Sequence, residues 1–345
     1  MSSTATTLQP PPIPRSLWQR FYGAVHAARR RWWRDRAQQL PRPVISIGNL
    51  HFGGSGKTPL TAAVAAHLRD RGHRVAILSR GYGRQDDNVR LVSRGEGPLL
   101  GPRLAGDEPV LLAGMLPGVS VVVAAERFVA GRHAMARLDP PPDLFLLDDG
   151  FAHIRLRRQL DILAFPASDP FAGGKLLPGG RLREPLAAVK WADAVVLTGT
   201  DAVDQAGPAL ARALHRHGFT GPGFAARTCV EPARALNGES LEAGTSVLAV
   251  SGIARPERFL DAVRDQKLDI VEHLSFEDHE PYEADRLDTI RQAFTRSRAA
   301  WVVTTAKDRV KLQGRLELPL AEIPIVAAPE PGFWHWLDSS ISELP

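Results

Sequence analysis

Two rhythms of hydrophobic and polar positions run along this chain. Over residues 16–37, apolar and aromatic side chains recur on one face of a helix: Leu17, Trp18, Phe21, Tyr22, Val25, Ala28, Trp32 and Trp33. Arg20, Arg30, Arg31 and Arg34 fall on the opposite face. Arg29 and Arg36 intrude on the aromatic side, where long arginines can snorkel. After this helix the pattern changes to short apolar runs, read as strands at 44–47, 74–80, 119–124, 144–147, 161–165 and 194–197. Helical segments at 59–71, 108–115 and 127–137 separate several of them, and residues 86–106 read as a loop or hairpin. Strands alternating with helices predict a parallel sheet covered on both faces.

A second, smaller α/β series begins near residue 234. It has strands at 246–251, 270–274 and 301–305, with helices at 256–266 and 285–297. The expected division is a disordered tail at 1–14, an amphipathic helix at 15–40, a nucleotide-binding unit at 41–222 and a linker at 223–233. The smaller unit then occupies 234–322, and a return linker and C-terminal segment occupy 323–345. No internal repeat is visible.

The first strand runs into Gly53-Gly54-Ser55-Gly56-Lys57-Thr58, and Pro59 opens an alanine-rich helix. Strand, glycine-rich loop and helix in this order form a phosphate-binding P-loop. Loop amides turn toward phosphate oxygens, Lys57 brings a point charge to the β- and γ-phosphates, and the Thr58 hydroxyl suits Mg²⁺. His51 stands where the usual pattern has its first glycine, so this is a variant loop. Asp148 and Asp149 end the 144–147 strand, where a carboxylate holds Mg²⁺ directly or through water; an Asp-Gly turn is the plainer alternative. Asp107 and Glu108 open a helix, and capping is the commoner fate of such an aspartate. His279 follows Glu277 and Asp278 in a loop, either solvated or held by a carboxylate as an acid/base element. Lys307-Asp308 lacks the lysine two positions before the aspartate that guanine recognition needs.

Charge changes the picture only at the N-terminus. The chain carries +5, yet residues 1–42 hold eight arginines against Asp35 alone, so the remainder is slightly acidic. Aromatics opposite arginines suit a helix lying in an anionic membrane interface; packing on the protein's own core needs the same apolar face. Nucleic acid is not expected as a partner, because nothing else extends the basic surface. The single cysteine, Cys229, excludes a disulfide framework and a cysteine-based zinc cluster. No apolar stretch approaches 18 residues, so a simple transmembrane helix is not expected, and residues 1–14 lack the layout of a signal peptide.

Taken in order, seven segments resemble the tetraacyldisaccharide 4′-kinase family. They are Ser46-Ile47-Gly48-Asn49 with the P-loop; Ser79-Arg80-Gly81-Tyr82-Gly83; Gly106-Asp107-Glu108-Pro109; Leu147-Asp148-Asp149-Gly150-Phe151; Leu176-Leu177-Pro178 with Leu182-Arg183-Glu184-Pro185; Asp278-His279; and Thr305 with Lys307-Asp308. The resemblance implies a P-loop kinase core with a smaller second domain on a two-stranded linker. It implies transfer of the ATP γ-phosphoryl group to the 4′-hydroxyl of a tetraacylated glucosamine disaccharide 1-phosphate, at the cytoplasmic face of the inner membrane, by a peripheral or monotopic monomer. By resemblance, Asp107 is the base, His279 supports it, and Arg127 and Arg183 neutralise phosphate charge. Mg²⁺ would be held by Thr58 with Asp148 or Asp149, and by Glu108. Ala152 and Ile154 depart from the family's usual glutamine and arginine. Two rival classes follow from the same residues: a P-loop GTPase or ATPase switch, and a membrane-associated nucleotide-binding module without catalysis.

Overall fold

The computed structural model describes residues 8–9, 17–278 and 280–344. In chain order, α1 (Leu17–Arg34) precedes β1 (Val44–Gly48), α2 (Lys57–Asp70), β2 (Val75–Ser79) and β3 (Arg90–Ser93). Next come α3 (Pro102–Ala105), α4 (Asp107–Met115), β4 (Ser120–Val123), α5 (Arg127–Arg137), β5 (Leu144–Asp148) and β6 (Leu160–Pro166). Then follow β7 (Ala194–Thr198), α6 (Val203–His215), β8 (Gly223–Val230), β9 (Arg234–Ala235), β10 (Ser246–Ser251), α7 (Pro256–Asp265) and β11 (Asp269–Ser275). The chain ends with α8 (Ala284–Ser297), β12 (Trp301–Thr305), α9 (Ala306–Leu312), β13 (Leu320–Ile323), β14 (Ile325–Pro329) and α10 (Pro331–Ser342).

Nine strands make the large sheet, in the order β14-β8-β7-β6-β1-β5-β2-β4-β3. The strands from β8 to β4 run parallel, and only the edge strands β14 and β3 are antiparallel. All five residues of β1, β2, β5 and β7 are buried, which is why these strands read as continuous apolar runs. One face packs on α2, α4 and α10 through Leu60, Val64, Leu112 and Phe333; another core joins α5 to Leu78, Phe145 and Leu147. A five-stranded sheet, β11-β10-β12-β13-β9, carries its own two cores.

The chain crosses between the sheets twice, on β8 and back on β14. These two strands pair antiparallel from Ile325↔Val230 to Pro329↔Ala226, and Glu231 N donates to the Pro324 carbonyl at 2.9 Å. Residues 223–233, set aside above as a linker, therefore include a full strand of the large sheet. The C-terminal segment is helix α10, seated on α2: His67 stacks on Trp334 at 4.4 Å and bonds Asp338 at 2.7 Å.

Helix α1 turns its aromatic face outward. Leu17, Trp18, Phe21, Val25 and Trp32 are exposed, so packing on the core does not account for them. Its inward face is built from Tyr22, His26 and Arg30. Arg30, assigned above to the polar outer face, is buried: it donates to Glu184 Oε2 and to the Phe151 carbonyl, both at 2.8 Å, and lies 4.1 Å over the Phe151 ring. Burial is tolerated because the guanidinium is paired and hydrogen-bonded. Among the described residues, no helix is long and apolar enough to cross a membrane.

Candidate active site

The P-loop bridges β1 and α2 at the carboxyl end of the large sheet. Gly56 takes φ 71° as the residue capping α2, and a Cβ there would meet Thr198 Oγ1 at 3.0 Å. Glycine is required for both reasons. The loop is held from three sides. Asn49 Nδ2 donates to Ser55 Oγ at 2.7 Å, and Thr198 Oγ1 donates to the Ser55 carbonyl at 2.8 Å. His51, the departure from the usual pattern, is 1 % exposed and bonds the Pro170 carbonyl through Nε2 at 2.7 Å. Burial pushes its imidazole down to about 4, so it is neutral and acts as a fixed strut. The arch residues Phe52, Gly53 and Gly54 stay exposed.

Behind the loop the two aspartates divide. Asp149 receives both Arg183 Nη1 and Nη2, at 2.9 and 2.7 Å, and lies 3.5 Å from Lys57 Nζ. Burial alone would raise its carboxyl. The Arg183 bonds and the Lys57 and Arg183 charges outweigh that and hold it at about 2. Arg183 also reaches Asn49 Oδ1, so one guanidinium braces both the carboxylate and the loop. Asp148 is 1 % exposed; its Oδ1 accepts from Thr61 Oγ1 at 3.1 Å, and its buried Oδ2 has no protein partner. Burial, then the charges of Glu108 and Asp149, push it up to about 7.

A buried carboxylate with an orphaned oxygen, beside further acids, fits a divalent cation. Among the described residues no three His, Cys, Asp or Glu side chains form a ready metal cage. Mg²⁺ suits such a site, because it takes one or two carboxylates and completes its shell with phosphate oxygens and water. Of the metal candidates Thr58, Glu108, Asp148 and Asp149, Asp149 is already committed to cations.

These shifts carry a pH prediction. An acid raised in the folded state makes folding less favourable as pH climbs from its ordinary 3.8 toward about 7, because the unfolded chain releases that proton earlier. A cation needs the ionised form. Binding of Mg·ATP near pH 7 is therefore expected to release protons, and affinity should weaken as pH falls below 7. Calorimetry in two buffers of different ionisation enthalpy checks this; identical heats in both would remove Asp148 from the cation site.

Gly106 enters α4 with φ 90°, and a Cβ there would meet the Gly81 backbone at 2.9 Å. This close approach sets Asp107 and Glu108 in the first turn, where the helix dipole favours acids. Asp107 is the first residue of α4, and Gly106 holds the cap position. Its Oδ2 lies 3.2 Å from Lys311 Nζ, reaching from α9. Arg127 is 5 % exposed and donates to the Ala124 and Ala125 carbonyls at 3.3 and 3.1 Å. Burial lowers it to about 10 against the opposing pull of Asp148 and Asp149. His279 lies outside the described residues, so its predicted meeting with Asp107 is not part of this geometry. Asp308 is fully buried, where it accepts from Gly252 N at 2.9 Å and from Thr305 Oγ1 at 2.8 Å, Thr305 being the residue that caps α9. Ala152 is exposed and Ile154 is buried.

Sequence reading missed Thr61, Thr198, Lys311 and the Arg30–Glu184 pair. Thr61 had a signal, lying one helical turn after Lys57 and Thr58. Thr198 and Lys311 had none short of the tertiary fold.

Parallel sheet, P-loop, paired aspartates at the adjacent strand end and clustered arginines define a P-loop phosphotransferase. Residues 16–342 match the profile of the Tetraacyldisaccharide-1-P 4′-kinase family, and the chain belongs to that family. The tetraacyldisaccharide 4′-kinase of Geobacter sulfurreducens is 42% identical over 288 residues, covering 81% of this chain and 77% of that one. That of Anaeromyxobacter dehalogenans strain 2CP-C is 42% identical over 291 residues, covering 81% and 75%. The crystal structure of "apo" form LpxK from Aquifex aeolicus in complex with ATP superposes with a TM-score of 0.74 at 31% identity, covering 94% of this chain and 96% of that one.

Proposed function

We propose that this chain transfers the γ-phosphoryl group of ATP to the 4′-hydroxyl of a tetraacylated glucosamine disaccharide 1-phosphate. The observation that carries the reading is the Lys57–Asp149–Arg183 assembly braced to the P-loop, beside the cation-ready Asp148, in a chain of this kinase family. Phosphoryl transfer asks mainly for positioning and charge neutralisation. Lys57 and the amides of Gly53, Gly54, Ser55 and Gly56 hold the β- and γ-phosphates. Asp148 with Thr58, and Glu108 behind them, would hold Mg²⁺, which when bound neutralises phosphate charge. Asp149 keeps Lys57 and Arg183 aimed at the nucleotide, and Arg127 adds buried positive charge. Asp107 takes the hydroxyl proton, with His279 supporting it from the smaller domain.

The acceptor is an anionic lipid, and the outward face of α1 fits that surface. Its exposed Trp18, Phe21 and Trp32 would enter the headgroup region of the cytoplasmic leaflet, with arginines meeting lipid phosphates. The burial of Asp308, with its Oδ2 bonded to Gly252 N and Thr305 Oγ1, argues against a guanine-reading switch.

The test is transfer of labelled γ-phosphate from Mg·ATP to tetraacyldisaccharide 1-phosphate, with wild type beside Asp107→Ala. Loss of transfer with ATP binding kept is the expected result. A folded, ATP-binding wild type that transfers nothing sinks the proposal. In the same assay on anionic vesicles, Trp18→Ser with Phe21→Ser should lose rate, and should regain it in detergent micelles; equal rates on both would argue against docking through α1.

A further inference from the structure

The cations of α9 face the loop around position 279. Lys307 Nζ lies 3.3 Å from Asp278 Oδ1. Lys311 Nζ donates to the Glu280 carbonyl at 3.0 Å, and Arg315, just past the helix, donates to the Pro281 carbonyl at 2.9 Å. Lys307 and Lys311, four apart on one face of α9, and Arg315 beyond its end grip the chain on both sides of position 279. Lys311 differs from its neighbours. Its side chain is 5% exposed, against 23% for Lys307 and 36% for Arg315. Its ammonium also lies 3.2 Å from Asp107 Oδ2, at the start of α4, which packs on the large sheet.

A buried ammonium persists only where it is paired and hydrogen-bonded, and this one has three N–H donors to place. Part of its charge balances the buried Asp308, whose Oδ1 has no hydrogen-bond partner among the described residues and lies 3.7 Å away. The shorter contacts, to the Glu280 carbonyl and to Asp107 Oδ2, are the ones that join the two regions. A further ion pair between these regions, Arg103–Glu283, is exposed, with side chains 65% and 53% accessible.

We infer that Lys311 is a positioning residue for the phosphotransfer: it ties the loop around position 279 to the Asp107 carboxylate and fixes that carboxylate for proton abstraction. The inference rests on the reading of Asp107 as the base. One ammonium spans the boundary between the two sheets, so the small domain's placement and the orientation of Asp107 are set together. A misplaced base costs rate without costing nucleotide affinity.

The experiment compares wild type, Lys311→Met, Asp107→Asn and the double variant, measuring kcat, KM for ATP, ATP affinity and thermal midpoint. Lys311→Met is expected to lower kcat about 10²-fold with ATP affinity kept within about threefold. The double variant should be no slower than Asp107→Asn alone, since positioning matters only while the base is present. Multiplied losses would overturn the inference, and so would a folded Lys311→Met with wild-type kcat. If Asp107→Asn itself keeps full rate, the base reading has failed, and any loss in Lys311→Met then has another origin. Should Lys311→Met not fold, Lys311→Gln, which can still donate to the Glu280 carbonyl, decides the same comparison.

Discussion

Replacing Lys57 with Met is expected to cut phosphoryl transfer by about 10³-fold while leaving the fold in place. Lys57 is the first residue of α2, so its ammonium extends from the same turn whose amides face the phosphates. It is oriented by Asp149 at 3.5 Å, and Asp149 is itself fixed by two Arg183 bonds. The charge is therefore in place before the nucleotide arrives, and no reorganisation is needed as negative charge shifts toward the leaving oxygen. The fold should survive, because this ion pair is partly open to solvent, and such pairs contribute about 1 kcal/mol or less. Lys57→Arg should fail nearly as badly: a planar fork does not replace a compact ammonium under a tight loop. Labelled transfer assays with a thermal melt on each variant decide the matter. A Lys57→Met protein within tenfold of wild type would remove this residue from charge stabilisation.

What was legible in the chain was what local chemistry dictates. The P-loop showed because glycines, lysine and threonine must be contiguous to wrap a phosphate. The buried parallel strands β1, β2, β5 and β7 showed as unbroken apolar runs. Helix α6 did not show, because Gly207 and Pro208 interrupt it. Gly207 is there for packing: a Cβ would meet the Phe224 backbone at 2.4 Å, so the helix lies close on β8. The edge strand β3 hid in a polar stretch, since one flank of an edge strand needs no apolar partner.

The site was legible residue by residue but not as an assembly. Nothing local told Asp148 from Asp149. The difference arises from Thr61 on one side and Arg183 on the other, contacts spanning 87 and 34 residues. His51 looked like a flaw in the P-loop, and only its bond to Pro170 turns it into a strut. Helical periodicity for α1 put Tyr22 and Arg30 on opposite faces, whereas both lie on the inward face, and it could not say which side faced water. Arg20, Arg29 and Arg31 face outward, but Arg30 reverses the usual expectation because Glu184 and the Phe151 carbonyl offer it a buried set of acceptors.

That reversal gives the second large effect. Arg30→Ala is expected to destabilise the folded protein by about 3–5 kcal/mol, because it strands the Glu184 carboxylate inside the protein. The two side chains are 4% and 8% exposed and lie 2.8 Å apart. Burial would raise Glu184, yet His26, at 3.1 Å, and Arg30 hold it below its ordinary range. A group lowered in this way stabilises the fold above its unfolded value and loses that contribution as pH falls, so the wild type should weaken in acid more than the variant does. The double variant Arg30→Met with Glu184→Met should recover much of the loss, since a packed apolar pair can replace a buried ion pair. Urea unfolding of the three proteins measures this. Were Arg30→Ala as stable as wild type, the inward seat of α1 would be wrong, and with it the outward aim of its aromatic face. The loss should also reach the active site, because Tyr22 on the same face donates to the Arg183 carbonyl at 3.2 Å. Helix α1 and the guanidinium that braces Asp149 are thus two ends of one packed contact.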